Sequence, residues 1–568
     1  MGLSATLFNA GRSLEIFSAG IQVAGNNVSN AGTPGYIREE LVLKTAPPTP
    51  EGGLIFGTGA LPDGIVQKID KFLEVRLHNA NSEAQFAEAR TALYQVLESQ
   101  LHELGEEDLS SGLSRFLATI QDVVNQPETP ALRQIVIENG TRFAREIKSL
   151  RDRIDDVRIA QNVSIDALVS EANDLIGTIS GLNRQITTQE AIAQNRSEAG
   201  ALRTQRYNAL NRLSEIVPIQ FQERENGSVD VYTTENYLIL GSSTQNLETF
   251  GVADRGINTL QVRLDKTKMD VATFTNGGEL KALIQGRDQI LGGFVDDLDQ
   301  YAANVIREFN RIHTSGEGLA GYQSVTASES VADATAALNS TAAGLKFPPR
   351  NGSFQIKVTN TLTGVTDTTT IDVDLDGIGT DTSLNSLQAA INGVTNISAT
   401  ITPKGNLQLT AGANYEIRFG NDTSGALAGL GINTFFSGFD STSIGVNPLL
   451  AANHKLLATG QGGGPSDSSN AVLLADFSRT SLTNLTGKSI EEFYEQTVAA
   501  IGQASASESA IADGLRAFQE SLSSQREQYS GVSLDEETIK IMQFQHSYQA
   551  AARLIATVDD LLTTLLSI

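Results

Sequence analysis

Residues 3–30 read LSATLFNAGRSLEIFSAGIQVAGNNVSN, and residues 541–565 read IMQFQHSYQAAARLIATVDDLLTTL. In the first stretch Leu3, Leu7, Ala10, Leu14, Phe17, Ile21, Ala24 and Val28 alternate spacings of four and three without a break. That is a narrow seam, the pattern of a helix lying along another helix. Gly32, Thr33, Pro34 and Gly35 end it near Asn30. In the second stretch Ile541, Phe544, Tyr548, Ala551, Ile555, Val558, Leu562 and Leu565 repeat the pattern. Ser533, with Glu536 three residues on, predicts a capping box, and Asp535 and Glu537 add favourable charge at the helix start. Chain ends are usually frayed and polar. Two apolar stripes at the two ends predict helices that pair with each other and with neighbouring copies. They also predict that the termini order only on assembly.

Between the ends, residues 70–215 read as long helices. Phe143, Ile147, Leu150, Ile154 and Val157 hold one stripe, and Leu175, Ile179, Leu182 and Ile186 hold another. Arg151, Asp152, Arg153, Asp155 and Asp156 are read as the solvated face. After Pro218 the period changes to two, and Asn226-Gly227 between alternating runs predicts a hairpin. A helix returns over 278–313. Residues 325–345 read as a linker, and 352–420 as short strands around a helix at 383–392. Residues 460–470 are a Gly/Ser loop, and helices resume over 488–528. The fold class is mainly α with β-rich insertions: paired terminal coiled-coil helices, a long helical bundle and inserted outer β domains. The expected segments are 1–45 with 530–568, 46–215 with 470–529, 216–324, 325–435 and a return over 436–469.

Composition restricts the function. The chain has 568 residues, 40% of them hydrophobic, enough for packed cores. Its net charge of −25 opposes binding to nucleic acid or to an anionic membrane. It has no cysteine, so no disulfide framework or thiol nucleophile exists. The first thirty residues carry only Arg12 and Glu15, so no cleavable leader is expected there.

Motifs for chemistry are weak. Asp372, Asp374, Asp376 and Gly377 open like a calcium loop, but the twelfth position is Ser383 rather than Glu. Gly487-Lys488-Ser489 lacks the first glycine of a phosphate loop, having Leu482 there; Ser489 reads as a helix cap. Gly460, Gly462, Gly463 and Gly464 lack a dinucleotide context. His78, His102, His313, His454 and His546 form no metalloprotease motif. No catalytic residue, metal ligand or cofactor is assigned.

Asn26-Asn27-Val28-Ser29-Asn30-Ala31-Gly32-Thr33-Pro34-Gly35-Tyr36 resembles the N-terminal motif shared by flagellar rod, hook and hook-associated proteins. Asn26, Asn27, Asn30, Thr33, Gly35 and Tyr36 carry it, and Val28 replaces a usual Ile or Leu. Ser530 to Glu537 and Gln543 to Ala551 are similar to the C-terminal counterpart. Gly57-Thr58-Gly59, Ile69 to Leu73, Gly278 to Leu283, Phe309 to His313, Gly316 to Leu319, Phe435 to Gly438 and Ile444 to Asn447 resemble the FlgK family in particular. The resemblance covers roughly 1–320 and 430–568. It implies a structural adaptor at the flagellar hook–filament junction, not an enzyme. The implied partners are other copies in a helical or ring assembly, the hook protein, the second junction protein and an export chaperone on residues 534–565. It implies type III secretion and an extracellular location. A hook or distal-rod subunit is the alternative. A secreted adhesin or enzyme on a flagellar stem, with activity over 350–430, is the more distant one.

Overall fold

The computed structural model describes residues 2–51, 53–101, 108–194, 197–234 and 236–566. Helix α1 (Leu3–Ser29) stops where the sequence breaks it. Four strands follow: β1 (Glu39–Thr45), β2 (Thr49–Glu51), β3 (Leu54–Phe56) and β4 (Ala60–Gln67). β1 pairs antiparallel with β4, with a bulge at Val42/Leu43, and β2 pairs with β3. These strands escaped the sequence reading because Val42 and Leu43 are adjacent apolar residues, both exposed, which blurs any period of two.

Four helices come next: α2 (Lys71–Leu101), α3 (Leu109–Asn125), α4 (Pro130–Ile192) and α5 (Gly200–Ile216). Asp108 caps α3 by accepting from Ser111 N, and Pro130 opens α4 at a position where a missing N–H costs nothing. The period then switches as expected. β5 (Gln220–Glu223), β6 (Val229–Thr233), β7 (Asn236–Leu240) and β8 (Ser243–Thr244) form one antiparallel sheet. Gly227, at φ +81°, makes the predicted turn between β5 and β6. β9 (Leu247–Asp254) and β10 (Ile257–Leu264) form a hairpin.

Past the short α6 (Val271–Phe274), the helix expected over 278–313 is interrupted. α7 (Glu279–Gln285) passes into a π-helical turn, Gly286–Leu291, and then α8 (Gly292–Thr314). The wide turn carries Arg287, which is fully buried and donates to Asn162 Oδ1 and the Leu260 carbonyl.

The next strands are β11 (Ser324–Thr326), β12 (Gly352–Asn360) and β13 (Thr366–Val373), then α9 (Leu384–Asn392), β14 (Ile397–Ile401), β15 (Leu407–Ala411) and β16 (Tyr415–Gly420). They form two three-stranded sheets, ordered β13-β12-β16 and β11-β15-β14. After α10 (Ala426–Leu430), β17 (Phe436–Ser437), β18 (Gly445–Val446), α11 (Pro448–Ala452) and α12 (Ser469–Ala475) come two long helices, α13 (Ile490–Ser530) and α14 (Leu534–Leu566). The mainly α class with small inserted sheets is what the structure has. No described helix is long and apolar enough to cross a membrane.

Contacts divide the chain into two compact units. The first is Met1–Leu93, Ile159–Asp288 and Ser505–Ile568; the second is Tyr94–Arg158 and Gln289–Ala504. In the first, Leu73, Leu77, Ala80 and Leu522 make an apolar cluster. Beside it lies a buried ion pair, Arg526 Nε to Glu74 Oε1 at 2.6 Å. Arg203 binds Glu190 and Glu223, and Arg206 reaches Asn183 and the Gly227 carbonyl, so the hairpin turn is fixed to α4 and α5.

The second unit is centred on phenylalanines. The Phe309 ring lies 5.3 Å from Phe116, 4.9 Å from Phe435, 5.2 Å from Phe436 and 5.1 Å from Phe477. Gly140 leaves room for Phe435, since a Cβ there would sit 2.6 Å from the ring. Arg151 corrects the reading of a solvated charged face. It is 3% exposed and pairs with Asp155 and Asp299 while donating to Ser441 Oγ. A charge on the inner side of a helix is tolerated when carboxylates neutralise it.

His313 is buried in this unit, with Nδ1 2.7 Å from the Asn433 carbonyl and Nε2 accepting from Ala458 N at 3.0 Å. Those contacts fix the neutral tautomer with its proton on Nδ1. Burial pushes its pKa down to about 4. The unfolded imidazole takes a proton near pH 6.5, before the native one does, so stability falls as pH drops from about 6.5 towards 4. We expect roughly 3 kcal/mol to be lost from the second unit over that window on this account. His313→Gln is expected to flatten this part of the profile, read as the urea midpoint against pH.

Candidate assembly interface at the paired termini

α1 and α14 pack together in the first unit within one copy of the chain, where the sequence alone leads to the expectation that the termini order only on assembly. Gly20 faces Phe544 and Asn27 faces Glu537, so the two helices run antiparallel. A Cβ on Gly20 would lie 2.7 Å from the Phe544 ring, so the glycine is what allows the close approach. Gly20→Leu is expected to push α14 away and cost roughly 1–3 kcal/mol, despite a better helix propensity. The check is faster amide exchange over 537–551 in the purified variant.

Asn27 is fully buried, and all its amide positions are used. Nδ2 donates to the Glu39 carbonyl at 2.9 Å and to Glu537 Oε2 at 3.0 Å. Oδ1 accepts from Glu39 N at 2.9 Å and from the Tyr36 hydroxyl at 3.1 Å. One side chain thus ties α1, the turn, β1 and α14 together. Glu537 is 1% exposed and also pairs with Lys540. Arg38 extends the link through Glu536 at 2.8 Å, and Arg38 N donates to the Ser530 carbonyl. The predicted capping box is therefore only half formed. Glu536 N donates to Ser533 Oγ at 3.4 Å, but the Glu536 carboxylate turns to Arg38.

The rest of the motif shapes the turn. Asn30 Nδ2 donates to the Asn26 carbonyl and to Asn26 Oδ1, closing the helix end, while Asn26 Nδ2 reaches Glu39. Thr33 Oγ1 donates to Asn30 Oδ1. Gly35 has φ +70°, and a Cβ there would collide with Asn208 of α5. The Tyr36 hydroxyl is pushed up by burial and by the carboxylates of Glu39 and Glu537, so it stays a donor. Burial raises Glu39 as well, opposed by the Asn26 hydrogen bond and reinforced by Glu198.

The structure places the predicted seam unevenly. Ala10, Ala24, Ala551 and Val558 are buried. Leu3, Leu7, Leu14, Phe17, Ile21 and Val28 on α1 are half-buried, as are Ile541, Phe544, Ile555 and Leu562 on α14. Tyr548 and Leu565 are exposed, Leu565 at 64%. On α1 the buried line is Ile16, Gly20, Val23 and Asn27, one residue ahead of the seam. A reading of apolar residues alone passes over that line because two of its members are glycine and asparagine. Beyond the pair, Phe8 is 63% exposed, and Ile539, Met542, Leu554 and Leu561 of α14 also face solvent.

Elsewhere, carboxylates of Asp374, Asp376 and Asp381 converge within 4.8 Å in the second unit, while Asp372 lies in β13. Ser383 caps α9 instead of completing a cation loop. Ser489 and Glu492 form a reciprocal cap on α13, which accounts for Gly487-Lys488-Ser489 without a phosphate. His78 is buried in the first unit, His546 is exposed, and His102 lies outside the described residues.

A family model described as the flagellar hook-associated protein FlgK helical domain matches residues 94–326. One described as the flagellar basal body rod FlgEFG protein C-terminal matches 523–568. The chain is 24% identical to flagellar hook-associated protein 1 of Escherichia coli (strain K12), over all of both chains. It is 23% identical to flagellar hook-associated protein 1 of Bacillus subtilis (strain 168), over 98% of this chain and 96% of that one. The solved flagellar hook junction protein FlgK from Burkholderia pseudomallei overlaps 81% of this chain and 100% of its own, at 15% identity and a TM-score of 0.49, too slight a likeness to carry weight. The chain thus carries a match to the FlgK helical domain over 94–326 and to the rod-type C-terminal segment over 523–568, and it is similar along its whole length to flagellar hook-associated protein 1.

Proposed function

We propose that this chain is a structural adaptor subunit at the flagellar hook–filament junction, that it polymerises through α1 and α14, and that it catalyses no reaction. The observation that supports this is the paired termini. They are fixed to each other by Asn27, yet Phe8, Tyr548, Leu554, Leu561 and Leu565 are left in water. Neighbouring copies would cover that surface. The C-terminal match alone would suit a hook or distal-rod subunit; the helical match over 94–326 favours the junction.

In this reading the hook protein and the second junction protein contact the two faces of a ring of copies. An export chaperone covers 534–565 before type III secretion, and the mature subunit is extracellular. Segments 1–45 and 530–568 form the wall, and the inserted segments lie outside it. Deletion of the gene is expected to leave hooks without filaments and to release flagellin into the medium. Normal filaments in the deletion strain would overturn the proposal.

A further inference from the structure

The chain carries 66 acidic against 41 basic residues, yet one cleft of the second unit, of about 380 Å³, is lined by Arg307, Arg311 and Arg350 with a single carboxylate, Glu308. Glu308 is nearly buried and holds two of these groups by their inner nitrogens, Arg307 Nε at 3.1 Å and Arg311 Nε at 2.8 Å. Arg307 also faces the Asn484 side-chain amide, whose oxygen accepts from both terminal nitrogens of Arg307 once the amide is turned over. Arg350 is held through Nε, which donates to the Thr423 carbonyl at 3.2 Å. The outer forks of Arg311 and Arg350 thus have no partner among the described residues, while their inner ends are pinned. Phe347 and Leu482 add an apolar wall.

Two oriented guanidinium forks in a part-sheltered cleft match the planar oxygen pair of a carboxylate. The geometry points to a binding site for carboxylate, presented by an acidic peptide segment. A free small carboxylate offers the same chemistry, and the test separates the two. The cleft lies within one unit, and its assignment does not depend on the assembly reading.

The probe is a fluorescein-labelled, capped triglutamate peptide, followed by anisotropy on the full chain. Binding is expected at about 50 mM salt and is expected to weaken at least about fivefold by roughly 300 mM, as screening sets in. Arg350→Gln, at an exposed residue whose loss leaves the Glu308 pairs intact, is expected to weaken it about tenfold. Arg350→Lys keeps the charge but not the fork and is expected to lose roughly threefold. The Arg311→Gln variant should behave like Arg350→Gln if it melts at the parent temperature. A capped triglutamine peptide should not bind. No binding, or binding indifferent to Arg350→Gln, overturns the assignment. Citrate binding more tightly than the peptide and displacing it would give the cleft to free carboxylates and overturn the peptide source.

Discussion

Asn27→Ala is expected to destabilise the paired termini by roughly 3–5 kcal/mol and to release both helices. The substitution removes no charge and little volume, so the effect comes from what is left behind. The Glu39 carbonyl, Glu39 N–H and Tyr36 hydroxyl lose a partner, and the buried Glu537 carboxylate loses a donor. A buried polar group left unpaired costs about 1–3 kcal/mol, and a charged one more. Water can reach the half-buried Tyr36, which keeps the total below the simple sum. Asn27→Asp should be worse than Ala. It keeps the acceptor, loses the donor, and places a second negative charge against Glu537. Amide exchange over 5–29 and 537–560 reads the release directly. Parent-like protection in Asn27→Ala would show that the apolar contacts alone hold the pair. In cells the same variant is expected to lose filaments even when it is made at normal levels.

Phe309→Ala is expected to cost about 3–5 kcal/mol in the second unit. Its ring is fully buried and touches four others, so truncation leaves a hole that rigid neighbours cannot fill. Edge-on ring pairs add about 0.5–1.5 kcal/mol each beyond area burial, so the upper part of the range is favoured. Phe309→Leu retains most of the volume and should lose less than half as much. Exchange of the α8 amides, with the urea midpoint of the same samples, checks both. Equal midpoints for the Ala and Leu variants would mean that the site collapses around the gap.

Much of this fold can be read in the sequence because its helices are long and its turns chemically explicit. Asn226-Gly227 marked its hairpin, and Ser489 marked the start of α13. What stayed hidden depended on partners far away along the chain. Arg151 looks like a surface charge until Asp299 and Ser441 arrive beside it. The widening of the helix at Arg287 follows from Asn162 and Leu260, which no local pattern announces. On α1 the apolar seam pointed to the helix and its pairing, but the line closest to α14 runs through Gly20 and Asn27. Asn27 was visible as a motif residue, whereas its role as a four-way hydrogen-bond hub was not. The carboxylate it serves lies 510 positions later.

That separation bears on the order in which the molecule can be completed. A chain made from its N-terminal side presents residue 27 ahead of residue 537 by 510 positions. Until residue 537 follows, α1 has no α14 to lie against, and its buried line faces water. Closing so long a loop carries an entropy cost that grows only as the logarithm of its length. The delay is therefore set by arrival rather than by search. The clasp needs both helices: a chain without α14 leaves Gly20 without Phe544 and Asn27 without Glu537.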